Sequence, residues 1–157
     1  MNSERSPAPY ERLAAIYDSA WAEYSVWVAG LVQSLETESR RHFAAVCDAA
    51  CGTGVLLGEL DDGERALAGF DRSAAMLEYA RERLPGATLA LGNLEDEPLA
   101  VTGPFDLITC VYDSLNYLQS EVELIRFLRS ARRQLADGGA MLLDVNTPAL
   151  YRSRNGQ

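Results

Sequence analysis

The segment VCDAACGTG at 46–54 constrains this chain most: an apolar run of strand length ends in Gly52-Thr53-Gly54, and a short helical pattern, VLLGEL, follows at once. A strand running into Gly-x-Gly brings bare backbone up to a ligand, and the helix behind it offers unpaired N–H groups to an anion. The flanking sequence predicts the elements such a turn needs around it. FAAVCDAA (43–50) forms a first strand, RALAGFD (65–71) a second ending at Asp71, and ATLALGN (87–93) a third. The nearly continuous apolar run from Phe105 to Tyr112 predicts a fourth strand buried on both faces, and AMLLDV (140–145) a fifth.

Helical patterns fill the intervals. Ser73 is placed to cap a helix through Leu84, ended by Pro85-Gly86. Residues 120–136 set Leu124, Phe127, Leu128, Ala131 and Leu135 on one helical stripe that Asp137-Gly138-Gly139 stops. From Tyr10 to Leu35 apolar residues recur at helical spacing, predicting one or two amphipathic helices; residues 1–40 are expected to form an N-terminal helical cap and 41–157 the ligand-binding unit.

Strands alternating with helices imply an α/β fold with a parallel, doubly wound sheet and right-handed crossovers. The expected strand order is 3-2-1-4-5. The chain then reverses direction between the first and fourth strands, so a crevice opens at their carboxyl ends, where ligands of such sheets bind.

With 157 residues and 48% hydrophobic content, the chain can fill one core without disulfides or metal. An odd count of three cysteines, Cys47, Cys51 and Cys110, argues for reduced thiols, and a single histidine, His42, leaves too few ligands for a four-coordinate metal site. A net charge of −9 opposes binding to nucleic acid, whose phosphates need a basic face. No apolar run is long enough for a membrane span, and MNSERSPAPY has no apolar stretch for export, so a cytoplasmic protein with a small-molecule partner is expected.

The spacing narrows the ligand further. Asp71 lies 19 residues beyond Gly52 (71 − 52), closing the second strand, where a carboxylate can accept both hydroxyls of a ribose. Leu57 occupies the place where a dinucleotide fold wants its third glycine, which argues against a pyrophosphate. An adenosine-type ligand follows, without its identity.

DAACGTG at 48–54 together with GFDRSAAMLEYAR at 69–81 resembles the first two signature motifs of the class I S-adenosylmethionine-dependent methyltransferases, a Rossmann-like family. FDLITCVYDSLNYL (105–118) resembles the segment after the fourth strand in their bacterial small-molecule branch, and LAAIYDSAWAEYSVW (13–27) its N-terminal cap. The resemblance implies S-adenosylmethionine as cofactor, with Asp48 and the backbone of Ala50, Cys51, Gly52 and Gly54 at its methionine end. It implies Asp71 on the ribose, Arg72 and Met76 beside the adenine, and Asn93 and Leu94 where an aspartate commonly meets the adenine amino group. Tyr112 would wall the pocket, and Tyr10 and Tyr17 of the cap would face the cofactor. The implied activity is methyl transfer to a small molecule, with Asp113 as the candidate for removing a proton.

Other roles stay open for these residues. The glycines suit any strand-to-helix turn, Asp71 can cap the helix near Ser73, and Asp113 can cap the turn Ser114 to Leu118. Tyr112, Asn116 and Tyr117 can equally be packing or pocket wall. A truncated binding module without catalysis is the alternative function, and a nicotinamide-dependent oxidoreductase a more distant one. The family fold continues after its fifth strand with a helix and two further strands, whereas 12 residues follow Val145 here (157 − 145), so strands six and seven are expected to be absent. The fifth strand would then be an apolar edge open to a homo-oligomer partner or a completing segment.

Overall fold

The computed structural model describes residues 9–147, with side chains from residue 22 onward. The elements are α1 (Pro9–Ser39), β1 (Ala45–Ala49), α2 (Val55–Leu60), β2 (Ala66–Asp71), α3 (Ala74–Arg83), β3 (Thr88–Leu91), β4 (Phe105–Cys110), a 3-10 turn (Ser114–Tyr117), α4 (Glu121–Gln134) and β5 (Leu135–Leu143). The strands form one sheet in the order β3-β2-β1-β4-β5, every pair parallel, as the alternating pattern predicts. The fold is a Rossmann-like, doubly wound α/β arrangement.

The alternation of side chains along the two central strands assigns them to two cores. Val46 of β1 and its register partner Leu107 of β4 face one layer, with Val28 and Val32 of α1, Leu56 and Leu57 of α2, and Leu77 of α3. Cys47 and its partner Ile108 face the other, with Phe70, Leu99, and Phe127 and Ala131 of α4. Burial on both sides is why these strands read as continuous apolar runs. Leu57 is fully buried at the place a dinucleotide fold would keep as glycine. Ser73 caps α3 as expected, its hydroxyl accepting from the Met76 N–H at 3.4 Å.

Three features differ from the sequence reading. First, α4 ends at Gln134, and Leu135, expected on the helical stripe, already pairs with Phe105 in β5. Between the pairs Phe105–Leu135 and Leu107–Ala140, β5 carries residues 136–139 against Asp106 alone, so Asp137-Gly138-Gly139 is an irregularity inside the strand and not a helix stop. Gly138 supplies the left-handed conformation there (φ +71°), and a Cβ on Gly139 would meet the Phe105 carbonyl at 2.9 Å. Second, β4 stops at Cys110, because Tyr112 and Asp113 adopt positive φ (60° and 50°), which no strand accommodates. Third, Trp27, which falls within the helical spacing from Tyr10 to Leu35, is 60% exposed while Val32 is buried; α1 itself is a single helix, within the expectation of one or two.

Candidate functional site

The carboxyl ends of β1, β2, β3 and β4 surround a cavity of about 240 Å³. Ala50 and Gly52 line it from the turn after β1, Asp71 from the end of β2, Arg72 and Met76 from the entry and first turn of α3, and Asn93 and Leu94 from the residues after β3. Tyr112, Ser114 and Tyr117 close it after β4. Nine residues singled out from the sequence therefore meet in one place: Ala50, Gly52, Asp71, Arg72, Met76, Asn93, Leu94, Tyr112 and Tyr117.

The glycine turn is held from two directions. The Cys51 N–H donates to the Phe70 carbonyl at 3.0 Å, and the Gly52 N–H donates to Asp71 Oδ2 at 2.9 Å. The other carboxylate oxygen of Asp71 accepts the Ser73 N–H at 2.8 Å. Asp71 thus ties the β1 turn to the entry of α3 and also borders the cavity, so the capping and ligand-facing readings of this residue are compatible. Burial raises its pKa; the N–H donors of Ser73 and Gly52 and the charge of Arg72 oppose that rise.

Three residues expected at the cofactor are not lining residues. Cys51 turns its thiol inward, where a Cβ on Gly69 would meet Cys51 Sγ at 3.0 Å. Gly54 (φ +74°) lets α3 approach, since a Cβ there would meet Leu84 Cδ1 at 3.1 Å and Ala80 Cβ at 3.2 Å. Asp48 is buried beneath the turn, its Oδ1 accepting the Thr109 hydroxyl at 2.6 Å. Burial pushes its pKa up to about 7, with the charges of Asp71 and Asp144 adding to the rise and the Thr109 bond opposing it. Tyr10 and Tyr17 lie in the part of α1 whose side chains are outside the described residues.

Asp113 does occupy the position before the 3-10 turn, but its side chain makes no capping bond. Its Oδ2 instead accepts from Asn146 Nδ2 at 2.5 Å, and it is not a cavity-lining residue. Asn116 is likewise turned away, exchanging hydrogen bonds with the backbone of Asn146. Ala50, Tyr112 and Asp113 are three of the four described non-glycine residues with positive φ. Each such residue costs on the order of 1–2 kcal/mol, a strain that the surrounding structure must hold and that tends to collect at ligand sites.

Asp144, just after β5, was not singled out from the sequence. Its carboxylate accepts the N–H of Tyr112 at 2.8 Å, the N–H of Asp113 at 2.6 Å and the Tyr24 hydroxyl at 2.6 Å. The available signal was an acidic residue closing an apolar strand on the ligand side of the sheet. Tyr24 and the buried Ser25 were equally invisible, because nothing local says which β-strand end a helical residue will meet.

The order of strands, the glycine turn and the carboxylate at the end of β2 are arranged as in the class I methyltransferase fold. The family described as "Methyltransferase domain" matches residues 46–139, and the chain belongs to it. Over 135 residues the chain is 30% identical to the dTDP-4-amino-2,3,4,6-tetradeoxy-D-glucose N,N-dimethyltransferase of Saccharopolyspora spinosa, covering 86% of this chain and 52% of that one. A S-adenosylmethionine-dependent methyltransferase from Clostridium acetobutylicum superposes with a TM-score of 0.75 at 28% identity, over 89% of this chain and 58% of that one. The amino pentose methyltransferase CalS10 from Micromonospora echinaspora, solved with S-adenosylmethionine bound, gives 0.68 at 27% identity, over 95% of this chain and 61% of that one. The chain spans about half the length of the curated relatives it matches.

Proposed function

We propose that the cavity binds S-adenosylmethionine and that the protein transfers its methyl group to a small-molecule amine. The observation that carries this reading is the meeting of Asp71, Ala50 and Gly52 with Asn93 and Leu94 in one cavity of a chain belonging to the methyltransferase family. A carboxylate beside bare turn backbone suits a ribose diol and an amino acid end, and nothing in the cavity requires a pyrophosphate. Arg72 and Met76 flank the adenine, Asn93 accepts its amino group, and Leu94 packs on its ring. Tyr112 walls the far end. Cys51 and Gly54 act by shaping the turn, and Asp48 by its negative charge below it; Tyr17 completes the site from the cap, residues 1–40.

When bound, the cofactor would supply an electrophilic methyl carbon on sulfonium, to which an amine nitrogen would bond in line as the sulfur–methyl bond breaks and adenosylhomocysteine leaves. The chain's residues align the two partners and exclude water; Asp113, next in the chain to the cavity-lining Tyr112 although its carboxylate is held by Asn146, is the proposed acceptor of the proton that an amine must lose. The amine reading is supported by the relatives named for aminosugar substrates. A small acceptor in the cytoplasm fits the net charge of −9 better than a nucleic acid does. Among the described residues no helix is long and apolar enough to cross a membrane. Among the described residues β5 is an edge strand, and it pairs with a second copy of the chain; sedimentation of a stable monomer at micromolar concentration would count against that pairing.

Because the chain matches about half of each relative, a second reading is a cofactor-binding module that does not itself turn over. Titration calorimetry with adenosylmethionine, adenosylhomocysteine and nicotinamide dinucleotide tests the shared part. Binding of the first two and not the third is expected, and binding of the dinucleotide alone would overturn it. Transfer of labelled methyl to a nucleotide-linked aminosugar separates enzyme from module.

A further inference from the structure

The corner after β4 is held by contacts that the cofactor reading leaves unexplained. Two consecutive non-glycine residues, Tyr112 and Asp113, stand in the left-handed region, and Tyr112 lines the cavity. Both of their N–H groups are taken by one carboxylate, Asp144, Tyr112 on Oδ2 and Asp113 on Oδ1. Asp144 Oδ2 accepts in addition the hydroxyl of Tyr24, which comes from α1, 120 residues earlier in the chain.

The same helix holds Tyr112 at its other end. The Tyr112 hydroxyl is 2.5 Å from Oγ of the buried Ser25, and the Tyr24 and Tyr112 rings meet edge to face at 4.7 Å. Tyr112 is therefore fixed at its backbone by Asp144 and at its hydroxyl by α1, and α1 is itself fixed to Asp144. All three partners of Asp144 are donors, so only a side chain that accepts on both oxygens satisfies them. An amide in its place would turn an N–H₂ toward at least one N–H or O–H donor.

We propose that Asp144 is the positioning residue of the pocket: its carboxylate holds the Tyr112–Asp113 corner and fastens α1 over it, so that Tyr112 stands as the wall for the amino acid end of the ligand. The assignment rests on the cavity being an adenosylmethionine site. With the ribose on Asp71 and the adenine toward Asn93, the amino acid end points to the β4 side, where Tyr112 lies. The adenosine end rests on residues that Asp144 does not touch. Loss of Asp144 should thus weaken ligands that carry the amino acid and spare those that lack it.

The experiment compares adenosylhomocysteine with 5′-methylthioadenosine, which lacks the amino acid, by calorimetry on the native chain and on Asp144→Asn, Tyr24→Phe and the double variant. In Asp144→Asn the first probe is expected to bind about tenfold more weakly or worse, and the second within about twofold. Tyr24→Phe should cost the first probe about threefold, and the double variant should be no weaker than Asp144→Asn alone, because both remove one latch. Equal weakening of both probes would reduce Asp144 to a general structural role and overturn the proposal, as would unchanged binding of both. If Asp144→Asn does not fold, the Tyr24→Phe pair of affinities decides by the same rule. Failure of the native chain to bind either probe would instead overturn the cofactor reading, and the assignment with it.

Discussion

Asp48 and Thr109 face each other across the β1–β4 pair, the Thr109 hydroxyl donating to Asp48 Oδ1 at 2.6 Å, with both residues buried. A carboxylate sealed under a glycine turn with one neutral donor is expensive to ionise. Its place below the turn proposed to hold the amino acid end of the ligand fits a charge kept for ligand binding at the expense of stability.

The cost has a pH signature. With a folded-state pKa of about 7 against 3.8 for the ordinary group, the folded chain keeps a proton that the unfolded chain has lost at pH values between these limits. Stability from this group therefore falls as pH rises from about 4 to about 7, by at most about 4 kcal/mol, and stays low above that. Asp48→Asn should raise the melting temperature more at pH 8 than at pH 5.5, and should weaken adenosylmethionine binding. An equal gain at both pH values in thermal denaturation would disprove the linkage.

Asp71→Asn leaves the shape but not two acceptor oxygens, so either the Gly52 or the Ser73 N–H loses its partner. Adenosylmethionine affinity should drop about 10- to 100-fold, as expected for a charged hydrogen bond to the ribose together with a loosened turn. Calorimetry showing native affinity would remove Asp71 from the binding site.

Gly54→Ala combines a positive φ of 74° with contacts of 3.1 and 3.2 Å to Leu84 and Ala80. A destabilisation of about 1–3 kcal/mol in urea denaturation is expected. An unchanged midpoint would mean that α3 can shift freely away from the turn.

Asp113→Asn retains the backbone N–H that Asp144 binds, so cofactor affinity should hold within about twofold. As the proposed proton acceptor, Asp113 should nonetheless be worth about 100-fold in methyl transfer to an amine. Undiminished transfer by the variant would strike it from the mechanism.

The sequence was most legible where structure is local. Short apolar runs marked the five strands, Ser73 marked the start of α3, and the Gly52–Gly54 turn marked the end of β1 where the cavity opens, because each depends on neighbours a few residues away. The strand order followed from alternation and handedness. What only the tertiary structure decided is which distant groups share that edge: Tyr24 with Asp144 across 120 residues, Ser25 with Tyr112 across 87, and Asp48 with Thr109 across 61. The same cause moved the start of β5 back to Leu135. Helical periodicity favoured a longer α4, but pairing with Phe105 and the left-handed Gly138 gave the backbone a better place in the sheet. Local pattern selects the elements; the partner of each strand end and buried polar group is chosen by packing, which no single stretch of sequence contains.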